Sequence, residues 1–392
     1  MTDDRRFELM GRMRGDAGAT AEYVVVGAGI TGAAVAAHLA RHGAAPLILE
    51  ADVPARGATG ASGGMVRGYD PDPVVARYAA ASLAIYADPA VWCSVTAPLH
   101  RTGAVTLASV EHAAELDRAA EALRATVGAD CRVVSGEDVS QVHGVHTADG
   151  VALVEPGAGW VDPVQVTELF VRQAVRDGAR LANGVQLTAI RQADDGVLLE
   201  STQGAAHAIR AVVLAIGGWA ARPPIGVRAP RVGVRTRAIQ ASLLRRPTGA
   251  RPHTTFIDLR TGGYGKPVDE HTSLVGAPLL VWDEDPCSDT SPDAEHHQHT
   301  LDVVRRNLPW IPSAETVRMV RSFDGYATAD TPLIPTELPR VWYTRMGSGG
   351  GVKVAPELGR EIAERLLSQP CPATPPSGRQ PSQRRGTDAA LP

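Results

Sequence analysis

"EYVVVGAGITGAAVAAHLARHGAAPLILE", residues 22–50, reads as a strand, a glycine turn, a helix and a second strand. Tyr23 to Val26 is a short β-branched run, long enough for a buried parallel strand and too short for a buried helix. The turn Gly27-Ala28-Gly29-Ile30-Thr31-Gly32 fits G-x-G-x-x-G. In that pattern Gly27 permits the sharp turn, Gly29 lets the backbone approach a pyrophosphate, and Gly32 lets the helix lie close on the strand. The helix is expected from about Ile30 to His42, ended by Gly43, with its N-terminal amides facing anionic phosphates. Pro46 to Leu49 forms the next strand. Glu50 follows it, roughly 20 residues after the glycines, where a carboxylate accepts hydrogen bonds from a ribose and disfavours a 2′-phosphate. A lone G-x-G-x-x-G is a weak signal, but here strand, glycines, helix, strand and acid occur in register. The stretch therefore reads as a dinucleotide site and leaves NAD against FAD open.

The rest of the composition narrows the classes. With 392 residues, two domains are expected rather than one. A formal charge of −4 gives no broad basic face for nucleic acid or anionic lipid. Cys93, Cys131, Cys287 and Cys371 are scattered without a C-x-x-C, which points to neither zinc nor a disulfide framework. No apolar run reaches the roughly 18 residues of a membrane span, and the start is too polar for a signal peptide. The expectation is a cytoplasmic protein, monomer or homodimer, without membrane or nucleic-acid partner. Residues 1–20 and the proline-rich 369–392 are expected to be disordered.

The second half returns to the first. "GWVDPVQVTELFVRQAVRDG" gives a helix capped by Asp162 with Pro163 at its first position. An antiparallel meander then leads into the buried strand Ala211 to Ile216 and into Gly217-Gly218-Trp219, a second place for backbone to meet ligand. From about Arg222 to Arg321, strand-like runs broken by prolines read as an antiparallel substrate domain. "RVWYTRMGSGGGVKVAPELGREIAERLLS" adds a strand, a glycine loop from Gly347 to Gly351 and a helix from about Val354 to Leu367. The fold class is thus α/β (α+β), a Rossmann-like cofactor domain from 21–95, 150–221 and 322–368, with an antiparallel substrate domain from 96–149 and 222–321.

Taken in order, the motifs resemble the FAD-dependent oxidases of the D-amino-acid oxidase, glycine oxidase and monomeric sarcosine oxidase group. They are "VVVGAGITGAAVAAHLARHG", "GATGASGGMVR", "GWVDP", "ARLANGVQLTAI", "VVLAIGGWAA", "GGYGKP" with "TSLVGA", "DGYATADTPLI" and "GSGGGVKVAPELGREIAERL", covering about residues 21–368. The resemblance implies FAD rather than NAD. It places Gly27, Ala28, Gly29, Ile30, Thr31 and Gly32 at the pyrophosphate, Glu50 and Ala51 at the adenosine ribose, and Val185 at the adenine. Arg56, Ala61, Ser62, Gly63, Gly64 and Met65 would run past the flavin, with Gly217 and Trp219 nearby. Gly347, Gly349, Gly350, Gly351, Val352 and Lys353 would lie by the isoalloxazine. Neither "RMGSGGGVK" nor "RSFDGYATAD" holds a cysteine, so the FAD is expected to be non-covalent.

Flavin oxidation of an amine needs few protein acids or bases, because the cofactor accepts the hydride equivalent and the protein orients the substrate. The expected activity is oxidation of an amine or amino acid, secondary, cyclic or N-substituted, to an imine, with O2 reoxidising the flavin to give hydrogen peroxide. The alternatives are a dehydrogenase with another acceptor and a non-catalytic flavin redox sensor. Lys353 comes first: in "GGGVKVAP" it matches the lysine that, in sarcosine oxidase-like proteins, sits near the flavin and holds the substrate carboxylate, and against a helix-start lysine pointing to solvent stands the cost of an unpaired cation at a helix N-terminus. Arg67 comes second, set against a plain salt bridge to Asp70 or Asp72. Tyr264 and Lys266 of "GGYGKP" belong to the segment that lines the pocket in such proteins. The arginine that binds free α-amino acids in the group is absent from "FDGYATAD", where Gly325 and Tyr326 stand. Leu274 occupies about the place of the lysine that promotes reaction with oxygen. His296, His297 and His299 look like a metal set but read better as a solvated helix start, so no metal is expected.

Overall fold

The computed structural model describes residues 19–92, 96–128, 130–147, 149–286, 290–327 and 331–369. Most of both expected disordered ends lies outside the described residues, as does Thr328-Ala329-Asp330. The first strand nevertheless begins at Ala19, inside the expected extension.

An eight-stranded sheet carries the opening motif. Its main path runs Leu333–Pro335, Val341–Thr344, Gly204–Leu214, Ala19–Val26, Leu47–Glu50, Arg180–Asn183. The five strands from Val341–Thr344 to Arg180–Asn183 are parallel, and Leu333–Pro335 joins the edge antiparallel. Tyr23 and Val25 face one apolar core while Val24 and Val26 face another. That two-sided burial is why this strand is a continuous apolar run rather than an alternating one. Helices Ile30–Arg41, Pro73–Ala87, Pro163–Arg176 and Gly351–Leu367 cover one face. The meander Leu187–Ala193, Gly196–Ser201, Gly204–Leu214 is antiparallel as its alternation predicts.

Small residues let two of these helices touch. A Cβ placed on Gly359 would lie 2.7 Å from Ala34 Cβ, so the helix after the first glycine turn lies directly on the helix after the last glycine loop. The final helix begins at Gly351, about three residues earlier than expected, which places Lys353 inside its first turn. Asp162 accepts from the Val164 and Gln165 amides, with Pro163 at the first helical position.

The second sheet also has eight strands: Glu315–Tyr326, Arg235–Arg245, Thr272–Gly276, Tyr264–Pro267, Thr255–Asp258, Ala104–Ala108, Val151–Glu155 and Arg132–Ser135. All its neighbours are antiparallel except Thr255–Asp258 beside Ala104–Ala108. Val151–Glu155, expected with the cofactor domain, pairs here because its apolar face meets Ala104–Ala108. Likewise Ser322 to Tyr326 continues the strand from Glu315 and does not start the cofactor domain afresh.

Candidate active site

Three neighbouring parallel strands end in glycine segments on one edge of the first sheet. Val26 runs into Gly27, Leu214 leads to Gly217 and Thr344 leads to Gly347, while Glu50 closes the strand on the other side. In open α/β sheets ligands bind outside the carboxyl ends of the strands. Gly27 has φ +97°, donates to Leu49 O at 2.8 Å, and has room for a Cβ only 2.6 Å from Ala215 O. A Cβ on Gly32 would overlap Gly27 O, whereas one on Gly29 would meet nothing nearer than Thr59 Oγ1 at 3.4 Å. Turn and helix are thus locked together, with the middle glycine left open on the ligand side. The helix has no side-chain cap and no acid in its first turn, so its amide end suits an anion. Glu50 accepts from Ala28 N at 2.6 Å and from Asp52 N at 2.9 Å, which fixes the carboxylate beside the turn and leaves lone pairs for a ribose. Burial pushes its carboxyl up and those amides pull it back. The residues present fit the adenosine-pyrophosphate half of FAD.

The loop at 347–351 is held differently. Half-buried Asp324 accepts from Gly325 N at 2.8 Å and from Gly349 N at 2.8 Å. Ser348 N donates to Gly325 O at 3.0 Å, and Ser348 (φ +46°) and Gly349 (φ +81°) turn the chain. A Cβ on Gly351 would meet nothing within 4 Å, and one on Gly350 would meet only the Lys353 side chain, nearest at 3.5 Å, and Gly347 O at 3.7 Å. The helix that starts at Gly351 has no side-chain cap either. Asp324 was not legible as a site residue, although it stands in the quoted "FDGYATAD".

Behind this loop lies a buried charge cluster. Lys353, only 4% exposed, forms an ion pair with Asp70. Burial and the nearby Arg67 charge pull its ammonium down to about 8, with Asp70 and Glu155 opposing. Arg67 is 9% exposed and its Nε has no hydrogen-bond partner. The salt bridge weighed against a site role for Arg67 does not form: Asp70 is taken by Lys353, and Asp72 caps Pro73–Ala87. Buried Glu155 accepts from Gly68 N at 2.6 Å and Tyr69 N at 3.3 Å, tying down the backbone next to Arg67. Glu155 lies 87 positions along the chain from Gly68, and nothing in the sequence links the two.

The hairpin Tyr264–Pro267 and Thr272–Gly276 forms the facing wall. Tyr264 pairs with Gly276 and Lys266 with Leu274, all on one face of the ladder. The Tyr264 ring lies across Gly276, and its hydroxyl is pushed up to about 12 by burial and by Tyr326. A Cβ on Gly63 would lie 3.5 Å from Leu274 Cδ2 and 3.7 Å from the Tyr264 ring. The hairpin therefore meets the 62–65 turn, where Gly64 has φ +63° and donates to Ser62 Oγ at 3.1 Å. Met65 pairs with Trp160, and Lys266 Nζ sits 3.9 Å above the Trp160 ring. That cation–π contact stabilises by about 2 kcal/mol when desolvated. Burying an ion costs several.

Other expected positions fall away from this cluster. Arg56 pairs with Asp52 and its side chain is 74% exposed. Val185 N is committed to Glu50 O at 2.8 Å, leaving its carbonyl. Gly217 has φ +52° with open space around it, and half-exposed Trp219 stands over Gly57. Thr59, not foreseen, accepts from Ile30 N at 3.2 Å. His297 bonds Ser242 and Thr316, His296 contacts Thr300, and among the described residues no group could hold a metal. Cys131 is a buried free thiol; the other cysteines lie outside the described residues.

The chain is 28% identical over 384 residues to a tRNA 5-methylaminomethyl-2-thiouridine biosynthesis bifunctional protein of Polaromonas sp. (strain JS666), covering 89% of this chain and 57% of that one. It thus spans little more than half the length of that curated relative. Glycine oxidase from Geobacillus kaustophilus superposes with a TM-score of 0.75 at 21% identity, covering 89% of this chain and 95% of that chain. L-proline dehydrogenase from P. horikoshii gives 0.77 at 18% identity, covering 91% and 96%. Both share the fold. A model of the FAD dependent oxidoreductase family, DAO, matches residues 22–365, and the chain therefore belongs to that family of FAD-dependent oxidoreductases.

Proposed function

We propose that the protein oxidises a secondary, cyclic or N-substituted amino acid to its imine, with O2 taking the electrons onward and hydrogen peroxide formed. The observation that carries this reading is Arg67, a buried guanidinium that forms no ion pair among the described residues and whose Nε has no hydrogen-bond partner, with the charge of buried Glu155 nearby; it lies beside the Lys353–Asp70 pair and two residues past the 62–65 turn. A buried cation of that kind is stabilised by an anion brought by the substrate.

FAD, when bound, supplies the acceptor for the two electrons of the C–H bond next to nitrogen. Glu50, with Ala51, would hold the adenosine ribose, the Gly27–Gly32 amides the pyrophosphate, the Val185 carbonyl the adenine, and the Ala61–Met65 and Gly347–Val352 segments the ring. Arg67 and Lys353 would orient the carboxylate. The Tyr264 hydroxyl, which makes no hydrogen bond among the described residues, is placed to donate to it. The same two cations disfavour a third positive charge, so the substrate amine loses its proton on binding. The relatives' names agree: one serves biosynthesis of a methylaminomethyl nucleoside and another is an L-proline dehydrogenase.

Leu274, an apolar residue at the 62–65 turn, favours a second reading in which another acceptor replaces O2. Anaerobic mixing of the FAD-loaded protein with a panel of N-methyl and cyclic amino acids tests the first part. Loss of the flavin colour with one class identifies the substrate; a protein that takes up FAD and is bleached by no amine overturns the reading. The rate at which colour returns in air, against its rate with a quinone, separates the acceptors.

A further inference from the structure

Lys266 is a buried cation that pairs with no acid among the described residues. Its side chain is 4% exposed, it makes no hydrogen bond or ion pair among the described residues, and its contact is the Trp160 ring at 3.9 Å. Trp160 in turn stacks on His100 with centroids 3.9 Å apart. Asp162 is the acid whose charge reaches Lys266, but the two form no ion pair, and Asp162 Oδ1 accepts from the amides of Val164 and Gln165. Burial pulls the ammonium down to about 8, which still leaves it charged at neutral pH. Three N–H donors therefore have a π face and no oxygen to bond, an arrangement that a nearby acceptor would relieve.

The position of Lys266 says which acceptor. It is cross-strand from Leu274 and on the same face as Tyr264, and those two side chains lie against Gly63. Met65, at the end of the same turn, pairs with Trp160 beneath the ammonium. Tyr326, whose proximity helps push the Tyr264 hydroxyl up, has its own hydroxyl against Gly349 of the second glycine loop. The hairpin thus stands between the two segments that would flank the flavin ring.

We propose that Lys266 is the cation facing the bound flavin across the 62–65 turn, where it stabilises negative charge on the reduced ring and on small anions that bind to the oxidised one. This rests on the reading that the ring lies between the two glycine segments. Lys266 reaches the region from the strand next to Leu274, so an apolar residue at 274 does not leave it without a cation.

Sulfite binding to oxidised flavin and the flavin midpoint potential test this without substrate. In FAD-loaded Lys266→Met, sulfite is expected to bind at least about tenfold more weakly than in the wild type, and the midpoint to move negative. Lys266→Arg should keep both near the wild-type values. Unchanged sulfite affinity and potential in Lys266→Met would overturn the proposal. So would a variant in which only the KM for acidic amines rises, which would assign Lys266 to the substrate. FAD content measured on each sample separates these outcomes from loss of the cofactor, and bleaching of the wild type by amines tests the proposed reaction independently.

Discussion

The two glycine segments at the edge of the first sheet resemble one another in sequence and differ in what holds them. In the turn at 27–32, Gly27 and Gly32 are demanded by neighbouring backbone, and a side chain on either would strike a carbonyl oxygen. In the loop at 347–351, Gly351 faces open space, a Cβ on Gly350 would make only ordinary contacts, and polar contacts from Asp324 and Ser348 set the shape. The first segment is therefore built into the fold, while the second keeps room free beside a charged cluster.

The largest effect should come from breaking the anchor. Gly32→Val forces Gly27 O aside and is expected to cost about 3 kcal/mol or more and to yield protein without FAD, read by thermal melting and by absorbance. Gly351→Ala sharpens the contrast: with nothing within 4 Å it should leave stability unchanged or slightly raised, while FAD binds more weakly. A melting loss in Gly351→Ala equal to that of Gly32→Val would erase the distinction.

Next in size is the charged cluster. Arg67→Leu should lower kcat/KM for acidic amines by about 100-fold, the size of a lost charge-assisted contact of about 1.5–3 kcal/mol. Lys353 is charged below about 8 and loses its charge as pH rises through that value. The KM for acidic amines should accordingly climb above about pH 8 in the wild type, and that limb should vanish in Lys353→Met. The smallest effect is expected at Arg56, whose exposed pair with Asp52 is worth about 0–1 kcal/mol. Arg56→Ala should change FAD affinity less than about twofold by titration.

The opening βαβ unit was legible because its geometry is local: glycines, apolar runs and a cap lie within one short stretch of chain. Glu50 and the helix at Pro163 were readable for the same reason. What escaped was set by pairing between distant segments. Val151–Glu155 went to the other sheet because its partners are Ala104–Ala108 and Arg132–Ser135. The Lys353–Asp70 pair joins residues 283 apart, and Glu155 reaches across 87 to Gly68. Lys353 was singled out from its match to the lysine of sarcosine oxidase-like proteins, yet its pair with Asp70 leaves Arg67 without an ion pair among the described residues. No periodicity encodes that exchange of partners.

The central claim is that Arg67 and Lys353, in the buried charge cluster beside the second glycine loop, recognise a carboxylate while the neighbouring amine is oxidised. Anaerobic stopped-flow reduction of the FAD-loaded wild type tests it, comparing an N-methyl amino acid with the same N-methylamine lacking the carboxylate. The amino acid is expected to reduce the flavin with a second-order rate constant about 100-fold higher or more, in line with one charge-assisted contact. Equal rate constants for the two would contradict the claim.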